Sequence, residues 1–188
     1  VDKTGPTDVT ITFNPSVARD YSSTITLSSS SVNKEVTLSG KAYAPEASGT
    51  WVEDFETGTK TAYAAAVVTC TKLDWNFDNA LIGTDASDKK FGAQAARIKD
   101  QNGFIAMNAD KANGAGVVKV YTSLYGTHIA AAKWILSIST NQGTDWTQVG
   151  EEQNTDNTSL APVTFTINQT GNIRLKITKT NATSSSTL

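Results

Sequence analysis

The feature that most constrains this chain is an alternation of apolar and polar residues that recurs along most of its length. In segment 8–14, Val9, Ile11 and Phe13 fall on one side and Thr10 and Thr12 on the other. A period of two is the signature of an extended strand with one buried face. Pro15, which has no N–H to give a ladder, closes the segment. The pattern returns at 21–27 with Tyr21, Ile25 and Leu27 apolar, and again at 35–42 after a Ser-rich turn at 28–33. Three short strands at this spacing read as part of an all-β sandwich.

A short Pro-, Gly- and Ser-containing linker follows Tyr43. We place a domain boundary there, dividing the chain into 1–47 and 48–188. Strand-like segments then recur at 51–56, 63–72, 93–99, 103–108, 117–125, 133–139, 147–149, 163–168 and 172–178. Segment 75–88 reads as a long polar loop with a short apolar centre, Ala80 to Gly83. No helical period persists, and the Ala-rich 62–66 runs at once into Val67 and Val68, whose β-branched side chains favour strand. About ten strands over this length point to a two-sheet antiparallel jelly roll.

Composition narrows the function. With charged residues at 18% and a formal net charge of -2, no global field draws in nucleic acid. No run approaches the ~20 apolar residues of a membrane span. The single cysteine, Cys70, cannot form an internal disulfide, and it reads as a small buried apolar residue. As a nucleophile it would need a base, and the one histidine is His128, itself placed in a turn. There is no Gly-x-Ser-x-Gly elbow, phosphate loop or His-x-x-x-His pair. The carboxylate pairs Asp74/Asp78, Asp85/Asp88 and Glu151/Glu152 sit in polar surroundings that would not raise a pKa for acid catalysis. A catalytic role is therefore not expected, and no cofactor beyond a structural cation.

Three features remain as binding candidates, and a fourth as a structural motif. Trp75 and Tyr125 lie at loop edges near Asn76 and His128, and Arg97 belongs to a basic cluster with Lys89, Lys90 and Lys99. Rings beside amide, guanidinium and imidazole groups suit a sugar, so Trp75, Asn76, Tyr125, His128 and Arg97 are the candidate ligand residues. Trp134, in an alternating strand, is assigned to the core instead. Asp54 and Glu56, sharing one face of the strand read at 51–56, are candidate calcium ligands, with solvated edge charges as the plain alternative. Finally, Ser139-x-Asn141-x-Gly143-x-x-Trp146 resembles the Asp-box of sialidases with Asn in place of Asp. We read it as a turn in which the Asn side chain bonds backbone, Gly143 supplies a positive φ and Trp146 packs back over the hairpin.

Two resemblances cover most of the chain. Val9-Thr-Ile-Thr-Phe-Asn-Pro, Tyr21-Ser-Ser-Thr-Ile-Thr-Leu and Val36-Thr-Leu-Ser-Gly-Lys-Ala resemble the closing half of Ig-like repeats in bacterial surface proteins. Val52-Glu-Asp-Phe-Glu-Thr-Gly, Ala80-Leu-Ile-Gly-Thr, Lys89-Lys-Phe-Gly-Ala-Gln-Ala-Ala-Arg-Ile and the 139–150 segment resemble a module of secreted multidomain proteins of Bacteroidetes-type bacteria. Its layout is also similar to MAM-type jelly rolls and jelly-roll carbohydrate-binding modules. These resemblances imply an extracellular or cell-surface bacterial protein, of which this is an interior piece. They also imply a last strand, expected after Leu188, whose Asp pair would share the calcium with Asp54 and Glu56. The expected role is a non-catalytic binding or spacer module for a glycan or surface protein, either monomeric or assembled through neighbouring domains. The alternative is an accessory domain of an extracellular nuclease or other hydrolase whose catalytic domain lies elsewhere.

Overall fold

The structure is a computed structural model that describes residues 11, 19–28, 30–42, 50–182 and 186–188. The chain divides between Thr50 and Trp51 into two compact units. In the first, β1 (Arg19–Ser28) and β2 (Asn33–Ala42) form an antiparallel hairpin, in register from Arg19↔Ala42 to Ser28↔Asn33. The strand read at 8–14 lies outside the described residues apart from Ile11.

The second unit carries β3 (Ala66–Thr69), β4 (Asp74–Asp78), β5 (Ala80–Gly83), β6 (Ala95–Ile98), β7 (Phe104–Met107), β8 (Ala115–Thr122), β9 (Ala132–Ser139), β10 (Thr147–Thr155), β11 (Ala161–Gln169) and β12 (Arg174–Lys179). Every pairing between them is antiparallel. Among the described residues there is no helix, and so none long and apolar enough to cross a membrane. The fold is all-β, a two-layered antiparallel sandwich. One layer is a six-stranded sheet in the order β10-β9-β12-β7-β4-β3, and the other holds the ladders β8–β11 and β5–β6.

Residues 186–188 lie beside that second layer. Ile98 N–H donates to the Leu188 carbonyl at 2.8 Å, Leu188 N–H donates back at 3.1 Å, and Tyr125 N–H donates to the Thr187 carbonyl at 3.1 Å. These residues thus bridge β6 and the segment that follows β8.

Period-two patterning explains the core. Trp75 and Phe77 of β4, Ile105 and Met107 of β7, Trp134 and Leu136 of β9 and Leu175 of β12 alternate with outward residues and pack on Ile82, Ile98 and Phe165 from the other layer. Trp134 meets Phe165 edge-to-face across the sandwich, centroids 5.8 Å apart. The Trp134 indole N–H donates to Thr155 Oγ1 at 3.0 Å, and Thr155 shares a 2.8 Å hydrogen bond with Thr122, so β9, β10 and β8 are joined inside the core.

Two expectations are corrected. Residues 51–56 form no strand. Phe55 has φ of 61°, and the Glu53 carboxylate gathers the N–H groups of Phe55, Thr71 and Lys72 and the Trp75 indole. These bonds over-determine a backbone that a bulky residue would otherwise avoid. Segment 75–88 is no loop either, since Asp-Trp-Asn-Phe-Asp is β4 and the apolar run after it is β5.

Candidate functional site

The register of the six-stranded sheet fixes what its outer face presents. Asn76 alternates with the buried Trp75 and Phe77 and so points outward. Pairing carries this row across the sheet: Val67↔Asn76, Asn76↔Ala106, Ala106↔Lys176, Lys176↔Ser137 and Ser137↔Gln148. Ala106 and Ser137 are small and almost fully covered, and Lys176 stands between them in the row. On one side of the row the pairings Asp78↔Phe104, Phe104↔Thr178 and Thr178↔Ile135 put an aromatic ring on the same face. On the other side are Asn108, Arg174↔Ser139 and Trp146.

Local chemistry holds these groups in place. Asn76 Nδ2 donates to Asn108 Oδ1 at 3.0 Å, and Arg174 Nε donates to Asp110 Oδ1 at 2.6 Å. The turn between β9 and β10 forms as its motif implies. Ser139 Oγ accepts the N–H groups of Gly143 (2.9 Å) and Asn141 (3.3 Å), and Asn141 Oδ1 accepts the Asp145 N–H at 2.9 Å. Gly143 has φ of +85°, and the Trp146 ring lies 3.5 Å from where a Cβ would stand. That ring carries the Lys176 ammonium 4.5 Å from its centroid, and Phe104 lies 6.0 Å from the same nitrogen. Burial pushes the Lys176 amine below the ordinary lysine range.

Of the sequence-derived ligand candidates, the structure brings Arg97, Tyr125 and His128 together at one end of the sandwich. Arg97 forks onto Asp88, Nε to Oδ1 at 2.7 Å and Nη2 to Oδ2 at 2.6 Å, and lies 4.2 Å from the Tyr125 ring centroid. Its Nη1 reaches the Tyr63 hydroxyl at 3.4 Å. Its hydrogen bonds to Asp88 hold the guanidinium pKa above the ordinary arginine value. Tyr125 donates to Asp85 Oδ2 at 3.0 Å, and the Ser87 N–H and then this hydroxyl hold Asp85 below the usual carboxylate range. His128 Nδ1 accepts the Thr187 N–H at 3.2 Å. Arg97, Tyr125 and His128 are thus engaged with their own chain. The rest of the basic cluster is engaged in part: Lys90 Nζ donates to the Asp85 carbonyl at 2.6 Å, and Lys99 pairs with Asp100 at 3.6 Å.

Trp75 is a correction. It is only 4% exposed and packs edge-to-face on Phe55 with centroids 5.4 Å apart, so neither ring face is open to a ligand. Asn76, its neighbour, does reach the outer face. Asp54 and Glu56 act as backbone clamps. Asp54 accepts from the Glu56 N–H and the Thr71 hydroxyl, and Glu56 accepts the N–H groups of Ala93 and Gln94. Among the described residues no three His, Cys, Asp or Glu side chains gather into a cation-binding group.

Trp146, Phe104, Lys176, Asn108 and Arg174 were not singled out as ligand residues from sequence. The signal was present in the outward polar positions of Arg-Leu-Lys-Ile-Thr at 174–178, but only pairing shows which strands lie side by side.

No family model matches the chain, and no curated protein matches it. A solved structure described as a carbohydrate-binding module of the β-sandwich superfamily with promiscuous specificity is similar, at 13% identity and a TM-score of 0.39, over 95% of this chain and 73% of that one.

Proposed function

We propose that the second unit is a non-catalytic module that binds a glycan across the outer face of its six-stranded sheet. The observation that carries this reading is the outer-face row Asn76, Ala106, Lys176 and Ser137, bordered by the rings of Trp146 and Phe104 and by the Asn76–Asn108 pair. A pyranose has an apolar C–H face that packs on a ring and an equatorial fringe of hydroxyls that planar amides bond from the side. Such a surface needs few convergent polar groups on a rigid scaffold, and strands of a sheet supply them at fixed spacing. The groups that chemistry would require support a non-catalytic role. Cys70 is buried with its thiol pushed up to about 12, by burial first and then by Glu53, and the ring nitrogen His128 Nδ1 already accepts a backbone N–H. The β1–β2 hairpin supports reading the first unit as part of an Ig-like spacer. With the scarcity of cysteine and charge, it fits placement at a bacterial cell surface.

A microarray of neutral and charged glycans, probed with the whole chain, tests this. Retention on at least one glycan, lost on Phe104→Ala, is expected. No retention anywhere on the array would remove the reading.

A further inference from the structure

Resting on that reading of the outer face, we infer that its ligand is an anionic glycan, with uronate or sulfate groups, and that Lys176 is the residue that takes the charge. The other cations of this face are already neutralised. Arg174 is paired with Asp110 at 2.6 Å, and Lys133 with Glu152 at 3.6 Å. Lys176 has no carboxylate within ion-pair distance among the described residues. Asp74 and Asp78, the acids of β4, are two strands away from β12.

Lys176 is also half-buried in the middle of that row, with Ala106 on one side and Ser137 on the other. Part of its hydration is lost, and what replaces it is the quadrupole of two rings, Trp146 at 4.5 Å and Phe104 at 6.0 Å. A partly desolvated cation without a counter-ion gains more from an incoming anion than an exposed lysine does, because the dielectric around it is lower and less water must be displaced. The same arrangement counts against a neutral sugar stacked on Trp146 alone, since the ammonium already stands over that ring. A chain of acidic sugars satisfies both groups: the carboxylate or sulfate meets Lys176, and the ring C–H face meets the aromatic border.

Affinity electrophoresis of the whole chain in gels containing alginate, polygalacturonate, dextran sulfate, dextran, xylan or poly-L-glutamate tests this. Retardation is expected in the first three and not in the neutral gels. Lys176→Gln should weaken the anionic interaction by about tenfold or more, as expected for losing one charge-assisted hydrogen bond. Lys176→Arg should keep most of it. Lys119→Gln removes the same charge from an exposed position on β8, in the opposite layer, and should leave the retardation unchanged. Melting curves of the variants check folding. Retardation by dextran or xylan with no gain from the anionic gels would overturn this inference and leave the glycan reading standing. Equal retardation by poly-L-glutamate, or equal loss in Lys119→Gln, would show a general polyanion effect and overturn it too. Retardation in none of the gels removes this inference, and the glycan array decides the broader reading separately.

Discussion

Arg97 holds Asp88 through two parallel hydrogen bonds, at 2.7 and 2.6 Å, while the Asp88 side chain is only 4% exposed. A carboxylate this buried depends on its partner. Removing one member of such a pair strands the other charge, at a cost of roughly 3–5 kcal/mol. Arg97→Ala should therefore lower the unfolding free energy, read from denaturant titration, by that amount, and adding Asp88→Ala should recover part of the loss. A double-mutant cycle checks the coupling. Additive losses would mean that the pair is not coupled as the geometry indicates.

A second structural link runs through Thr155, which is 1% exposed and accepts the Trp134 indole N–H. Thr155→Val keeps the shape but leaves that donor and the Thr122 hydroxyl without their partner, a loss of roughly 1–3 kcal/mol. Guanidinium unfolding monitored by tryptophan fluorescence measures it. A neutral Thr155→Val would show that the buried hydrogen bonds contribute little.

Cys70 should be inert in the folded protein. Its thiol pKa is raised from an ordinary 9.0 to about 12, so almost no thiolate exists at pH 8. Iodoacetamide at that pH should label it only after guanidinium is added. The same shift has a sign for stability. A raised folded-state pKa means the contribution is intact below pH 9, and is lost as pH rises from there toward 12. Fast labelling of the native chain would contradict both statements.

The turn that carries Trp146 offers a fourth prediction. Ser139 is 2% exposed and its hydroxyl accepts two backbone N–H groups. Ser139→Ala should cost roughly 1–3 kcal/mol through those donors. Because the same turn positions Trp146 over Lys176, glycan retention should fall with it, even at temperatures where the variant remains folded. Calorimetric melting and affinity electrophoresis on one sample separate the two effects.

Much of the fold was legible because period two survives wherever one strand face is buried. The alternations at 133–139 and 172–178 coincide with β9 and β12 to within two residues. The failures share one physical cause, which is that local pattern is silent about tertiary partners. Trp51, Glu53 and Phe55 alternate as a strand would, yet the Glu53 carboxylate collects four N–H donors and bends the segment into a turn. Trp75 looked like a loop residue because Asp74, Asn76 and Asp78 surround it, although these acids and amides are the outward positions of a strand whose inward ones are Trp75 and Phe77. Site residues were harder still. Asn76, Lys176 and Trp146 are far apart in sequence, and only the pairing of β4, β7, β12 and β9 assembles them.

The most direct test of the central claim is to map where a glycan touches the protein. Backbone amide shifts, recorded by NMR while an array-positive oligosaccharide is titrated in, should change along β7 and β12 and at the Trp146 indole. Shifts confined to Tyr125, His128 and Arg97, with the outer face silent, would contradict the account and place the ligand at the end of the sandwich.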